Sequence, residues 1–198
     1  MPPPQNDPPA DPAPVPIPRG PLSHIVGGAG RERTRMVDVS AKPVTERSAL
    51  ARARVVFPAG VLARMRAGTL PKGPIEEVAR TAGILAAKRT GELVPLCHPL
   101  GLDHVDVSFR RIEKDGQEML EAWCRARCRG RTGVEMEAMT GASVAALTVY
   151  DMTKALDPGI KIELVQLCEK RGGKSGPWRA PDLEEGELPD SDSLDRSD

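Results

Sequence analysis

Aromatic residues are scarce in this chain: two Trp, one Tyr and two Phe among 198 residues. Platforms for stacking nucleic-acid bases are therefore few, which argues against a single-strand binder built on base–aromatic contacts. Long apolar runs are also missing, and none approaches the ~20 residues that span a bilayer. Only four cysteines occur (Cys97, Cys124, Cys128, Cys168), none in a C-x-x-C pair. The opening stretch MPPPQNDPPADPAPVPIPRG has neither the basic and apolar regions of a secretory signal nor the Arg-rich pattern of a transit peptide. Reduced thiols and cytoplasmic residence are the expectation, not a disulfide framework.

What is present is unevenly distributed. Formal net charge is zero, but residues 177–198 hold eight of the 28 acidic residues and two of the 28 basic ones, leaving +6 on the remainder. A mildly basic body suits an anionic ligand. Residues 1–34 are rich in Pro and Gly and cannot bury enough apolar area to offset the entropy of ordering, so disorder is expected there. The acidic tail 177–198 carries the same expectation. Between them, 36–176 has the size of one domain, and no internal repeat is found.

Within that domain, Thr45 to Phe57 alternates Ala49, Ala51, Ala53, Val55 and Phe57 against polar neighbours, the period of a strand. VLARMRAG after Pro58 predicts a helix closed by Gly68. PIEEVARTAGILAAKRTG predicts a second, with Pro74 at its first position, Glu76 and Glu77 in its first turn and Gly91 just past its end. HVDVSFRRI and LEAWCRARC alternate on either side of Asp115-Gly116, a hairpin signal. A long helix from about Gly133 to Leu156 follows, with Thr132 and Glu135 in capping-box spacing, and IKIELVQLCEK reads as a last strand. Helices interleaved with antiparallel strands indicate an α+β fold with helices on one face of a sheet.

Several stretches invite chemistry. Cys124 and Cys128 sit on one strand, separated by roughly 13 Å at ~3.3 Å per residue. That is too far for one tetrahedral zinc, so they read as small buried apolar side chains and no metal site is assigned. GGKSG (172–176) resembles the end of a P-loop, but the pattern needs glycine where Cys168 stands. It reads as a flexible basic turn with Lys170, Arg171 and Lys174, able to close over phosphates or to lead into the tail. CRARCRGR puts Arg125, Arg127, Arg129 and Arg131 in alternation, a solvated or interface strand face in preference to a nucleic-acid surface. The long helix is apolar almost all round and rich in small residues, the signature of a buried helix. Asp151 and Lys154 on it are i,i+3 neighbours, read either as a surface ion pair or as a functional pair set in an apolar helix. In VPLCHPL (94–100) a thiol adjoins an imidazole. Adjacent side chains of an extended segment point to opposite sides, so Cys97 and His98 are poorly placed to share a proton, and a binding loop is the better reading.

Taken together, MVDVSAK (36–42), AGILAAKRT, VPLCHPL, TGVEMEAMT, SVAALTVYDMTKA and GGKSG resemble the cyclic pyranopterin monophosphate synthase family over essentially all of 36–176. That resemblance implies a ferredoxin-like α+β sandwich. It implies a lyase that converts 3′,8-cyclo-7,8-dihydroguanosine 5′-triphosphate to cyclic pyranopterin monophosphate and diphosphate, acting after the radical-SAM GTP cyclase of molybdenum cofactor biosynthesis. A homohexamer, a trimer of dimers with sites between subunits, is implied too. Carried onto this sequence, the catalytic residues are Asp151, Lys154 and Lys72. The substrate-binding residues are Arg47, Leu96, Cys97, His98, Glu135, Met136, Glu137, Lys170 and Lys174. No resident cofactor, nucleic acid or membrane is implied, and magnesium on the substrate phosphates would leave no protein signature. Glu137 and Asp151, fourteen residues apart on one helix, are separated by about 21 Å at 1.5 Å per residue, so one small-molecule site can use both only if two chains build it.

Overall fold

The computed structural model describes residues 25–26, 33–66, 74–183, 186 and 188–189, and the chain divides into two units, 1–35 and 36–198. In the first, β1 (Ile25–Val26) pairs antiparallel with β2 (Arg33–Thr34), Ile25 opposite Thr34. The rest of the 1–34 stretch expected to be disordered lies outside the described residues, as do Gly68 and Lys72.

The second unit runs β3 (Thr45–Phe57), α1 (Val61–Arg66), α2 (Ile75–Lys88), α3 (Thr90–Leu93), β4 (His104–Lys114), β5 (Gln117–Gly130), α4 (Glu135–Thr153), β6 (Lys161–Arg171) and β7 (Trp178–Arg179). Its sheet has the order β4-β5-β3-β6-β7, every pairing antiparallel. Without the short α1, α3 and β7 this is βαββαβ, the ferredoxin-like arrangement. The β4–β5 hairpin closes through Asp115 (φ 53°) and Gly116 (φ 75°), both left-handed, the backbone of the two-residue turn that matches strand twist.

The pleat decides the core. Ala49, Ala51, Ala53 and Val55 of β3 share a face with Leu120, Ala122, Cys124 and Ala126 of β5, and α4 covers it with Ala138, Ala142, Ala145, Ala146 and Val149. These small side chains let α4 lie close to the sheet. At Gly141 a Cβ would collide with the Cys124 sulfur, and at Gly83 of α2 it would stand 2.8 Å from the Gly141 carbonyl oxygen. Thus α4 is wedged between β5 and α2, which is why its sequence is apolar on nearly every side. Among the described residues no helix is long and apolar enough to cross a membrane.

Several boundaries differ from the sequence expectations. Pro74 caps α2 instead of beginning it, its carbonyl accepting the Val78 N–H at 3.1 Å. Gly91 does not end the helical run: Thr90 donates its hydroxyl to Ala87 O at 3.0 Å and Gly91 lies inside α3, where a Cβ would meet Pro99 at 3.1 Å. The Thr132–Glu135 capping box is not formed. The helix starts two residues later than that box requires: Val134 is the cap residue, without a side-chain hydrogen bond, and the Glu135 carboxylate stands 3.5 Å from Lys170 Nζ.

The helix-free face also departs from expectation. It is not simply a solvated arginine face, and the tail read as disordered from residue 177 begins with ordered chain. Leu50, Trp123 and Cys168 are buried there under Ala180 and Leu183, with Leu188 packed alongside. Beside them Glu121 is fully buried, accepting from Arg54 Nη2 at 2.7 Å, Arg52 Nη1 at 3.3 Å and Trp123 Nε1 at 3.1 Å. Apolar side chains on an outer strand face need cover, and the chain beyond β6 supplies it.

Gly141→Ala is expected to cost about 1–3 kcal/mol by overpacking against Cys124, read from urea denaturation. The cost should shrink in a Cys124→Ala background, where the obstructing sulfur is gone. Equal costs in both backgrounds would show that the α4–β5 approach does not set the limit.

Candidate functional site

The candidate residues sort to the two ends of α4. At its N-terminal end, Glu135, Met136 and Glu137 form the first turn. Gly133 permits this: a Cβ there would run into the Glu135 carboxylate. Glu135 Oε1 stands 3.5 Å from Lys170 Nζ at the end of β6, and the same ammonium donates to Ser175 Oγ at 3.2 Å. Arg47, opposite Cys128 in the β3–β5 ladder, donates Nε to Gly130 O at 3.4 Å. Its guanidinium is shaped by Gly172 (φ 92°) and Gly173 (φ 83°). A Cβ on Gly172 would strike the Glu46 backbone carbonyl, so that position needs glycine for conformation and for space, while Gly173 needs it for conformation and lies directly against the Arg47 guanidinium. Lys174 is exposed on the same turn.

The 94–100 loop packs against Gly91 and brings Leu96, Cys97 and His98 to partial burial. His98 does not pair with Cys97. Its Nε2 lies 2.7 Å from Val37 O, and since a carbonyl can only accept, Nε2 carries the proton and donates. The imidazole thus fastens the 36–40 segment to the loop. A phosphate contact through Nδ1 would require the imidazolium form, because the neutral ring has no second N–H to give.

Electrostatically this end gathers the Glu135 and Glu137 carboxyls with the Lys170 and Arg47 cations nearby. Burial pushes the Glu137 carboxyl above its ordinary value, Glu135 adds to the shift, and a hydrogen bond from its own backbone N–H opposes it. Burial likewise raises the Cys97 thiol, with the Glu137 charge adding to it. Cys128 is raised by burial, Asp103 and Glu137, against a lowering by Arg47. Both sulfurs are thiols at neutral pH, and neither has the activated character of a nucleophile. Cys124, deeper in the core, is pushed up to about 12 by burial. Among the described residues no group of His, Cys, Asp and Glu side chains is arranged to hold a metal ion.

At the other end, Asp151 Oδ1 and Lys154 Nζ form a 2.7 Å ion pair on the last turn of α4 and its cap. Both side chains are more than half exposed in the single chain. The hydrogen bond to Asp151, then its charge, raise Lys154 above its ordinary value, the reverse of the increased acidity that a buried, crowded lysine would show. The apolar surroundings suggested by the helix sequence lie on α4's other sides. The described structure therefore brings together Arg47, Cys97, His98, Glu135, Glu137 and Lys170, and leaves Asp151 and Lys154 a helix length away. Sequence reasoning did not single out the Val37 carbonyl, nor Cys128 and Asp103 as neighbours of this end; the glycine pair of GGKSG was visible, but not its contact with Arg47.

The domain that carries these residues matches known proteins. The model of the MoaC family matches residues 36–173. A cyclic pyranopterin monophosphate synthase of Novosphingobium aromaticivorans is 52% identical over 159 residues, covering 80% of this chain and 97% of the relative. That of Chloroflexus aurantiacus is 53% identical over 160 residues (81% and 95%), and that of Listeria monocytogenes is 48% identical over 149 residues (75% and 91%).

The raised Glu137 carboxyl makes a signed prediction. A carboxyl with a folded pKa above its unfolded value favours folding below the ordinary value of 4.5, and that contribution is lost as pH rises through the folded value. Glu137→Gln should therefore gain stability relative to the parent as pH is raised from about 4 to about 7, because the amide has no charge to desolvate. Urea denaturation at fixed chain concentration checks it, and parallel pH curves for the two proteins would contradict it.

Proposed function

The chain belongs to the MoaC family, and on that premise we propose that it is a lyase of molybdenum cofactor biosynthesis. It converts 3′,8-cyclo-7,8-dihydroguanosine 5′-triphosphate to cyclic pyranopterin monophosphate and diphosphate. The observation that carries the reading is the division of the family-matched domain into two unlike constellations on one helix: the Glu135–Glu137 turn with Lys170 beside it, and an ion pair at Asp151–Lys154.

The chemistry suits that division. A triphosphate asks for several cations, and Arg47, Lys170 and Lys72, with Lys174 on the glycine-flanked turn, supply charge-assisted hydrogen bonds. Leu96, Cys97 and Met136 give the heterocycle an apolar wall, and His98 holds the loop that carries it. Glu137, buried with a raised pKa, is suited to meet the polar edge of the ring system. Opening and reclosing the purine and attack of a sugar hydroxyl on the α-phosphate need positioned proton donors and acceptors. Asp151 is assigned as base, and Lys154 and Lys72 as acids. In the single chain Asp151 keeps Lys154 firmly protonated, so its acid role depends on a neighbouring chain that desolvates the pair and brings in further positive charge.

This is the physical reason for assembly. With the two constellations about 21 Å apart along α4, the Asp151 end of one chain meets the Glu137 end of another, within a homohexamer built as a trimer of dimers. Residence in the cytoplasm and action directly after the radical-SAM GTP cyclase belong to the same reading. No resident cofactor is assigned; magnesium would arrive on the substrate's phosphates.

Supplying the cyclised nucleotide and measuring diphosphate and pterin product tests the function, with native mass measured in parallel. Asp151→Asn and Lys72→Ala should each lower turnover by about 10²-fold or more. A parent chain that yields no product would refute the activity; wild-type turnover in both variants would refute the assigned roles.

A further inference from the structure

Trp178 lies beyond the residues matched by the family, which end at 173, and the proposed chemistry gives it no role. Its exposure sets it apart. Of the five aromatic side chains, Phe57, Phe109 and Tyr150 pack in the core under the helices and Trp123 is buried on the other face of the sheet, whereas Trp178 is 42% exposed. The register of β6 decides where that indole stands. Leu50 of β3 lies opposite Glu169 and Ala51 opposite Leu167, so Cys168 is an extra residue in β6. This bulge leaves Cys168 on the helix-free face with Leu50 and Trp123, and turns Lys170 to the face of Ala49 and α4. The 172–177 connection, closed by Gly176 N donating to Gly173 O at 3.2 Å, then brings β7 back so that Trp178 is directly opposite Lys170. Opposed residues of an antiparallel pair share a face, with Cβ atoms about 5 Å apart. Trp178 is thereby set beside the ammonium that meets Glu135 at 3.5 Å and Ser175 at 3.2 Å.

Lys170, Gly172, Pro177 and Trp178 line an open recess of about 550 Å³ that Arg171, Arg179 and Glu169 complete, three cations against one carboxylate. A large flat apolar surface edged by cations matches an anion attached to a flat ring, a nucleotide, better than phosphate alone. We propose that Trp178 is a further substrate-contacting residue, its indole stacking on the heterocycle of the bound nucleotide while Lys170 holds phosphate. The proposal rests on the phosphate role assigned to Lys170. Stacking on an aromatic face accepts any base, so Trp178 contributes affinity, and discrimination between heterocycles falls to the hydrogen-bonding groups at the start of α4.

Acrylamide quenching of tryptophan fluorescence in the full chain reads Trp178 almost alone, because Trp123 is 0% exposed. Saturating cyclised nucleotide should lower the quenching to the level of a buried tryptophan, an arm that requires no altered chain. Inorganic tripolyphosphate, which carries the charge without the ring, should leave it unchanged. In turnover, Trp178→Leu should raise KM about tenfold with kcat near the parental value, as loss of one base–aromatic stack acting equally on ground state and transition state would give, while Trp178→Phe stays near the parent. Calorimetry run alongside separates two kinds of failure. Nucleotide that binds without shielding Trp178, equal shielding by tripolyphosphate, or a Leu variant that matches the Phe variant would overturn the stack and leave the proposed function standing. Trp178 already shielded in the ligand-free protein would assign its cover to a neighbouring chain and overturn the stack as well. A parent that binds no cyclised nucleotide would remove the proposed function, and the stack with it.

Discussion

The closeness of α4 to the sheet at Gly141 is the constraint on which the rest of this molecule depends. Without a side chain there, the helix backbone can lie against the Cys124 sulfur while Gly83 of α2 approaches from the other side. A helix clamped in this way over nineteen residues behaves as a rigid ruler. It fixes Glu135 and Glu137 at one end and Asp151 at the other, and it denies them any route to each other within a chain. The small-residue composition of the core, Ala after Ala on β3, β5 and α4, is therefore as much a positioning device as a source of stability.

The two ends differ in what a single chain completes. At the Glu135 end, side chains are braced by their own fold: Lys170 by Glu135 and Ser175, Arg47 by Gly130 and the glycine pair, His98 by Val37. The Asp151–Lys154 end carries an ion pair whose side chains are more than half exposed, with its lysine raised above its ordinary value by Asp151. A braced end and an open end fit the proposed site completed by contact between chains, because desolvation and added positive charge are what would shift Lys154 toward acidity.

How much of this the sequence disclosed depended on whether the signal was local. Thr45–Phe57 alternates cleanly, Asp115-Gly116 fits only a tight turn, and the small-residue run of α4 could be nothing but buried, so those elements and the ferredoxin-like order were legible. Partners distant along the chain were not. The His98–Val37 contact joins residues 61 apart, and the Glu135 carboxylate pairs with a lysine 35 positions further on. Trp123 falls on the arginine-bearing side of the β5 alternation, and its cover, Ala180 and Leu183, lies about sixty residues further along the chain. For Lys154 the two readings stayed open for a similar reason: an apolar helix sequence does not say which of its sides stays open to water, and the structure shows the pair more than half exposed.

The central claim is that one active site draws on the Asp151 end of one chain and the Glu135 end of another. It is tested most directly by coexpressing Asp151→Asn chains with Lys170→Ala chains and assaying the mixed assemblies with the cyclised nucleotide. Each variant alone carries a damaged half in every site. Mixed assemblies should recover roughly a quarter of parental activity, the share of interfaces at which both contributing halves are intact when chains combine at random. Mixed assemblies no more active than either variant alone would place each site within a single chain and contradict the account.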